Sequence, residues 1–171
     1  MPYIKAEILL VLLAGADTTG TAFQALIVYI LNNPSTYDKL MAEIDSATRS
    51  RHPSSPIPSY NEATQHLPYY ITSIYETMRL CPSVPNIFPR LVSSPGMQLA
   101  GKSVAQGVEV TCNPYLVHHD KAIYGPDAEE FRPERWLEDK EKAKQYAKYN
   151  FAFGYGSRVC LGRDIAMMEL Y

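Results

Sequence analysis

The fourteen residues FAFGYGSRVCLGRD, Phe151 to Asp164, hold three glycines, two aromatic–glycine pairs and a single cysteine. A core strand is poorly served by Gly154, Gly156 and Gly162, because each gives up packing and costs backbone entropy. A disulfide framework is not indicated either, since the nearest other cysteine in sequence, Cys112, is far away. The segment suits a loop that brings its main chain close to something flat while holding one sulfur in place.

Cys160 stands just before LGRDIAMMELY, a run predicted to be helical. Metal ligation by sulfur requires the thiolate, and the unpaired N–H groups of a helix N-terminus favour that charged form. Arg158 adds a cation able to meet a carboxylate of a bound cofactor. The three glycines remove side chains that a flat ligand would strike, and Phe153 offers an aromatic surface near the sulfur. Together these features describe a loop that holds haem iron through an axial thiolate. Other readings attach to the same residues. A lone cysteine is by default a small buried core residue. A zinc site needs further Cys or His at short spacing, and none is near. GYGSRV resembles a dinucleotide fingerprint, but Val159 stands where the third glycine belongs and no strand–helix unit surrounds it. A catalytic pair of Cys160 with His118 or His119 stays open on spacing alone.

Outward from this loop, EDKEKAKQYAKY (138–149) reads as a solvated helix, and GPDAEEFRPERWL (125–137) as an irregular, proline-pinned segment. LVHHD (116–120) reads as a helical turn. IFPRLV (87–92), MQLAG (97–101) and VEVTCN (108–113) are short, β-prone runs that predict a small sheet. Pro68 opens a helix through YYITSIYETMRL that must end before Pro82. A short helix over YNEATQ (60–65) and a loop over RHPSSPIPS (51–59) precede it. Asn33 is placed to cap a helix with Pro34 at its first position, running through STYDKLMAEIDSATR.

The N-terminal stretch MPYIKAEILLVLLAGA resembles a signal peptide, with Lys5, an apolar run and small residues at Ala14 and Ala16. Glu7 interrupts the charged leader, however, and the apolar pattern continues as TAFQALIVYIL. Asp17 leaves either side too short to span a bilayer. The stretch is predicted to be one long buried helix from Tyr3 to Leu31, stopped at Asn32-Asn33-Pro34.

The bulk numbers fit one domain of an ordinary globular protein: 171 residues, 46% hydrophobic, 20% charged, net charge −2. That balance gives no electrostatic case for nucleic acid. Cys81, Cys112 and Cys160 lie in unrelated contexts, which suggests free thiols and an intracellular setting.

The pattern Phe153-x-x-Gly156-x-Arg158-x-Cys160-x-Gly162 resembles the haem-binding signature of the cytochrome P-450 family of haem-thiolate monooxygenases. Further segments occur in family order. AGADTT (14–19) resembles the family's oxygen-activating helix, which implies that Thr18 orients dioxygen and Asp17 relays protons. Taken alone, Gly15 is costly in a helix, and Asp17 or Thr18 reads as the cap of a second helix after a break. ETMR (76–79) sets Glu76 and Arg79 on one helix face. On a surface this is a minor ion pair; the resemblance implies the family's buried Glu-x-x-Arg pair, completed by Arg135 from FRPERW, with a structural role beneath the haem. Arg90 in NIFPRLV resembles a donor to a haem propionate, and is equally a generic surface arginine. His118 and His119 are expected to be structural, and Cys81 and Cys112 have no assigned task.

The resemblance covers nearly the whole chain and implies a mainly α fold with a small β-sheet, the truncated C-terminal part of the cytochrome P-450 fold. Residues 1–171 would form a partial domain, from the distal oxygen-activating helix through the haem-ligand loop to the start of the following helix. It further implies haem b with iron held by the Cys160 thiolate, a small organic substrate, dioxygen and an electron-donating reductase. The full-length form is expected at the endoplasmic reticulum membrane, with its anchor absent here. The rival expectation is a truncated haem-binding or non-catalytic fragment with no turnover by itself.

Overall fold

Prolines mark where helices begin. Pro34, Pro68 and Pro114 each occupy a helix start, where the missing N–H would have been unpaired anyway. In the computed structural model, which describes residues 2–50, 57–85 and 88–171, the elements run α1 (Pro2–Asn32), α2 (Pro34–Arg49), α3 (Tyr60–His66), α4 (Pro68–Leu80), β1 (Arg90–Leu91), β2 (Met97–Leu99), β3 (Lys102–Val104), β4 (Glu109–Val110), α5 (Pro114–His118), α6 (Lys121–Tyr124), α7 (Arg135–Glu138), α8 (Lys140–Tyr149), a 3₁₀ turn (Gly156–Arg158) and α9 (Arg163–Leu170). Of the predicted loop, residues 51–56 lie outside the described residues, as does Ile87 of the first predicted strand.

The predicted helices form, and the details of two starts and one sheet differ. Asn33 does stand before α2, but its side chain does not cap it; Nδ2 donates backward to Tyr29 O at 2.7 Å. Ser59, by contrast, makes a reciprocal capping box with Glu62 at the start of α3. The expected single sheet is two separate antiparallel ribbons, β1 with β4 and β2 with β3. The β2–β3 turn is Ala100-Gly101, both at positive φ (48° and 76°), the conformation that closes a two-residue hairpin. That tight turn makes Lys102–Val104 a strand, which the polar GKSV run had not suggested.

α1 is a single unbroken helix through Gly15, Asp17 and Thr18, so the helix-break reading of AGADTT is excluded. The expectation that it is buried holds for one face of its second half alone; Ile27, Val28 and Leu31 there are exposed. Ala22, Leu26 and Ile30 recur every fourth residue and pack with Leu40 of α2, Tyr69, Ile74 and Met78 of α4, and Leu170 of α9. Ile8 to Leu13, in contrast, are between 55% and 69% exposed. Its apolar residues ring the helix on all sides, whereas α4 and α9 meet only the later turns. By length and composition α1 would also reach across a membrane, a test that core helices of soluble proteins pass as well.

α4 is the central element, with ten of its residues buried, among them Glu76, Thr77 and Arg79. A carboxylate and a guanidinium fully removed from water are tolerable only if every lone pair and N–H is engaged. Here they are. Glu76 Oε1 accepts from Arg79 Nη2 (2.8 Å), Arg135 Nε (2.8 Å) and the Arg132 main-chain N–H (3.1 Å). Oε2 accepts from Arg79 Nε (2.9 Å) and Trp136 Nε1 (2.9 Å). Arg79 Nη1 then donates to the carbonyls of His118 and Ala128 (2.6 Å each), and Nη2 to that of Glu130 (3.2 Å). Arg135 donates to Tyr124 O, Asp127 O and Glu130 O. These donations hold 125–134, which has little regular structure, against α4. Among the described residues no buried side-chain polar atom lacks a partner.

His118 ties the far end of this network to the next segment. It is fully buried. Its Nε2 lies 2.7 Å from the Phe151 main-chain N–H, so Nε2 must be the unprotonated acceptor, and Nδ1–H donates to Arg79 O at 3.0 Å. Desolvation, with Arg79 nearby, pushes its pKa down to about 4.

Two outcomes follow. Glu76→Gln or Arg135→Met leaves a buried charge uncompensated and is expected to cost about 3–5 kcal/mol of stability, or to prevent folding, as read by denaturant unfolding. Because the folded His118 binds its proton only near pH 4 while an unfolded one does so near the ordinary value of about 6.5, the unfolded chain binds more protons between them. Stability should therefore fall as pH drops through that window, with a slope of up to about 1.4 kcal/mol per pH unit. Unfolding free energies measured across it should lose that slope in His118→Gln.

Candidate functional site

The cysteine loop is shaped by its own main chain. Gly154 N–H donates to Phe151 O (2.8 Å), Val159 N–H to Gly156 O (3.1 Å) and Cys160 N–H to Phe153 O (2.8 Å). The last bond folds residues 153–160 into a closed loop with Cys160 at its return. Gly154 and Gly156 take positive φ values of 75° and 69°, where a side chain is strained. No other part of the protein lies within 4 Å of a Cβ built at Gly156, and its left-handed backbone is by itself a reason for glycine. At Gly162 an added Cβ would stand 4.0 Å from Cys160 Sγ, an ordinary contact, and the backbone there is not left-handed.

Phe153 turns inward and packs, with Ala152, on the cluster of Ala22, Leu26 and Leu170. Cys160 and Arg158 face outward. Cys160 lies three residues before α9, with Gly162 at the helix boundary. The N–H groups of Leu161 and Gly162 donate to no protein acceptor, and the Arg158 guanidinium has no partner among the described residues. The reading of Cys160 as a buried core cysteine is thereby corrected, since the thiol is free and exposed. The pairing of Cys160 with His118 also falls away, because both ring nitrogens of His118 are committed to Arg79 and Phe151. His119 Nδ1 instead lies 2.8 Å from Tyr115 O. Among the described residues no three His, Cys, Asp or Glu side chains gather as a metal-ligand group, and a site for an ion here would rest on the single sulfur.

On α1, Thr18 Oγ1 donates to Ala14 O at 2.7 Å, one turn back along the helix. Thr18 stands four residues before Ala22, on the same face as Ala22 and Leu26, so its turn and the cysteine loop flank one apolar cluster. Asp17 is exposed. Ser83, just beyond α4, donates from Oγ to Thr18 O at 2.7 Å and fixes that turn from outside the helix. Nothing in the sequence had singled out Ser83, or Trp136 as a donor to Glu76. Arg90 is exposed and directed at its own strand, donating to Pro89 O (3.0 Å) and Phe88 O (3.4 Å). Glu76, Arg79 and Arg135 come together as a fully buried triad, in line with the ETMR and FRPERW reading.

Comparison with known proteins places this geometry in a lineage. The chain is 38% identical over 168 residues to quiannulatic acid synthase of Emericella variicolor, covering 97% of this chain and 33% of that protein. It is 38% identical to the cytochrome P-450 monooxygenase gsfF of Penicillium aethiopicum, covering 98% of this chain and 33% of that protein. To pisatin demethylase of Fusarium vanettenii it is 36% identical, covering 92% and 29%. The chain thus spans about a third of the length of the curated relatives it matches. The family model described as cytochrome P-450 matches residues 1–171, end to end. On that match and these relatives, the chain belongs to the cytochrome P-450 family.

Proposed function

We propose that Cys160 is the axial thiolate ligand of haem b, in a protein whose whole form inserts one atom of dioxygen into an organic substrate with electrons from a reductase. The observation that carries this is an exposed thiol three residues before α9, on a loop closed by Cys160 N–H donating to Phe153 O, within a chain of this family. Bound haem supplies the activation of dioxygen, and a thiolate ligand favours O–O cleavage.

The chain's own residues prepare that chemistry. The N–H groups of Leu161 and Gly162 meet no acceptor among the described residues and lie between Cys160 and the start of α9. Phe153 holds the loop to the apolar cluster it packs against. Arg158, without a partner among the described residues, is available to a propionate carboxylate. Arg90 would serve likewise after releasing the carbonyls of Phe88 and Pro89. The Thr18 hydroxyl donates to Ala14 O, which leaves its oxygen free to accept a hydrogen bond from a water that in turn donates to dioxygen and orients it. Asp17, exposed one residue away, would serve as the proton relay. Glu76, Arg79 and Arg135 hold the frame and touch none of the reacting atoms.

The test is the absorption spectrum of the haem-loaded full-length protein, reduced under carbon monoxide, beside Cys160→Ala. The expected result is a strongly red-shifted Soret band that disappears in the variant. A band that survives the substitution unchanged, or that is absent from both proteins, would overturn the assignment.

A further inference from the structure

The cysteine loop leaves α8 at Asn150 and must present its sulfur at a fixed height, yet it contains three glycines and one 3₁₀ turn. Its internal bonds fix shape, not placement. One hydrogen bond fastens its entry to the end of α5: Phe151 N–H donates to His118 Nε2 at 2.7 Å. From there the connections are continuous. His118 Nδ1–H donates to Arg79 O, and Arg79 Nη1 returns a bond to His118 O at 2.6 Å. On the other side, Phe151 O accepts from Gly154 N–H, and Phe153 O accepts from Cys160 N–H. The imidazole is the right group for this position. In its neutral form it accepts on one edge and donates on the other, about two carbon–nitrogen bonds apart, across a fully buried gap.

We propose that His118 is the positioning residue of Cys160: by holding Phe151 N–H against the end of α4, it sets where the sulfur stands. The role in ligation rests on the reading of Cys160 as the haem ligand; the anchoring of the loop does not. A core histidine that merely fills space would tolerate any side chain of similar volume. A positioning histidine requires an acceptor at the Nε2 place.

Two variants separate these in the haem-loaded full-length protein. The carboxamide of His118→Asn reaches the Nδ1 place and Arg79 O, but falls short of Phe151. His118→Gln carries an oxygen to the Nε2 place and Phe151 N–H. Residue-resolved amide exchange should be about tenfold faster at Phe151, Gly154 and Cys160 in His118→Asn, the effect of one lost buried hydrogen bond. The α4 amides should keep their protection, and His118→Gln should restore the loop. In the reduced carbon monoxide spectrum, His118→Asn should lose much of its red-shifted Soret intensity to a blue-shifted band, and His118→Gln should recover it. Equal behaviour of the two variants overturns the proposal, whether both match the wild type or both lose the α4 protection along with the loop. If the wild type itself lacks the red-shifted band, the Cys160 assignment fails instead, and the amide exchange still decides whether His118 anchors the loop.

Discussion

Glu76 is the point on which the fold is hung. Its carboxylate, fully out of water, accepts five hydrogen bonds from Arg79, Arg132, Arg135 and Trp136. A lone buried carboxylate is forbiddingly costly, so the two guanidiniums and the indole must converge on it or the helix cannot be buried at all. Having converged, the arginines still have N–H groups to spend. They spend them on the carbonyls of His118, Tyr124, Asp127, Ala128 and Glu130. The stretch from 125 to 134 has little regular secondary structure because its carbonyls are satisfied this way; its path is dictated by the fan of two side chains.

Placement of the sulfur descends from the same source. The end of α4 that carries Arg79 also carries the carbonyl on which His118 rests, and His118 in turn receives the first N–H of the loop. The opposite boundary of the loop is apolar: Phe153 packs against the cluster that α1, α2, α4 and α9 build. A polar tether at one side and a packed ring at the other confine a glycine-rich segment that has few constraints of its own. Thr18 stands across that same cluster on α1, with its turn held by Ser83.

Much of this could be read from residue order, and the boundary of what could is physical. Pro34, Pro68 and Asn32-Asn33-Pro34 punctuate the helices because proline's effects are local to the chain. ETMR shows a face-sharing pair for the same reason. That Trp136 would be a fourth side of the pair, or that Ala128 O would be its counterpart, left no trace, because hydrogen bonds to main-chain carbonyls impose no residue type on the acceptor. His118 was read as structural and is so in its contacts, but its partners are two main-chain groups, Arg79 O and Phe151 N–H, which no spacing rule points to. The glycines of the loop were legible as special, but the left-handed backbone of Gly154 and Gly156, a further reason for glycine, was not. The burial of α1 was overestimated at its first half, since apolar composition states what a helix can bury and not what lies beside it.

The uneven surroundings of α1 make it one helix in geometry and two in mechanical behaviour. From Ala22 onward it is clamped by three other helices; before Gly15 its side chains are exposed and no other described residue packs on Ile8 to Leu13 as part of a core cluster. Local opening is cheap where few apolar contacts must break, so the amplitude of motion should change abruptly along the axis rather than fade from the end. Asp17 and Thr18 sit at that junction, beside a glycine that weakens the helix further. The turn is thus anchored on one side and compliant on the other, able to widen by a small hinge displacement toward the N-terminus while the register of the clamped half, and with it the cysteine loop, stays put.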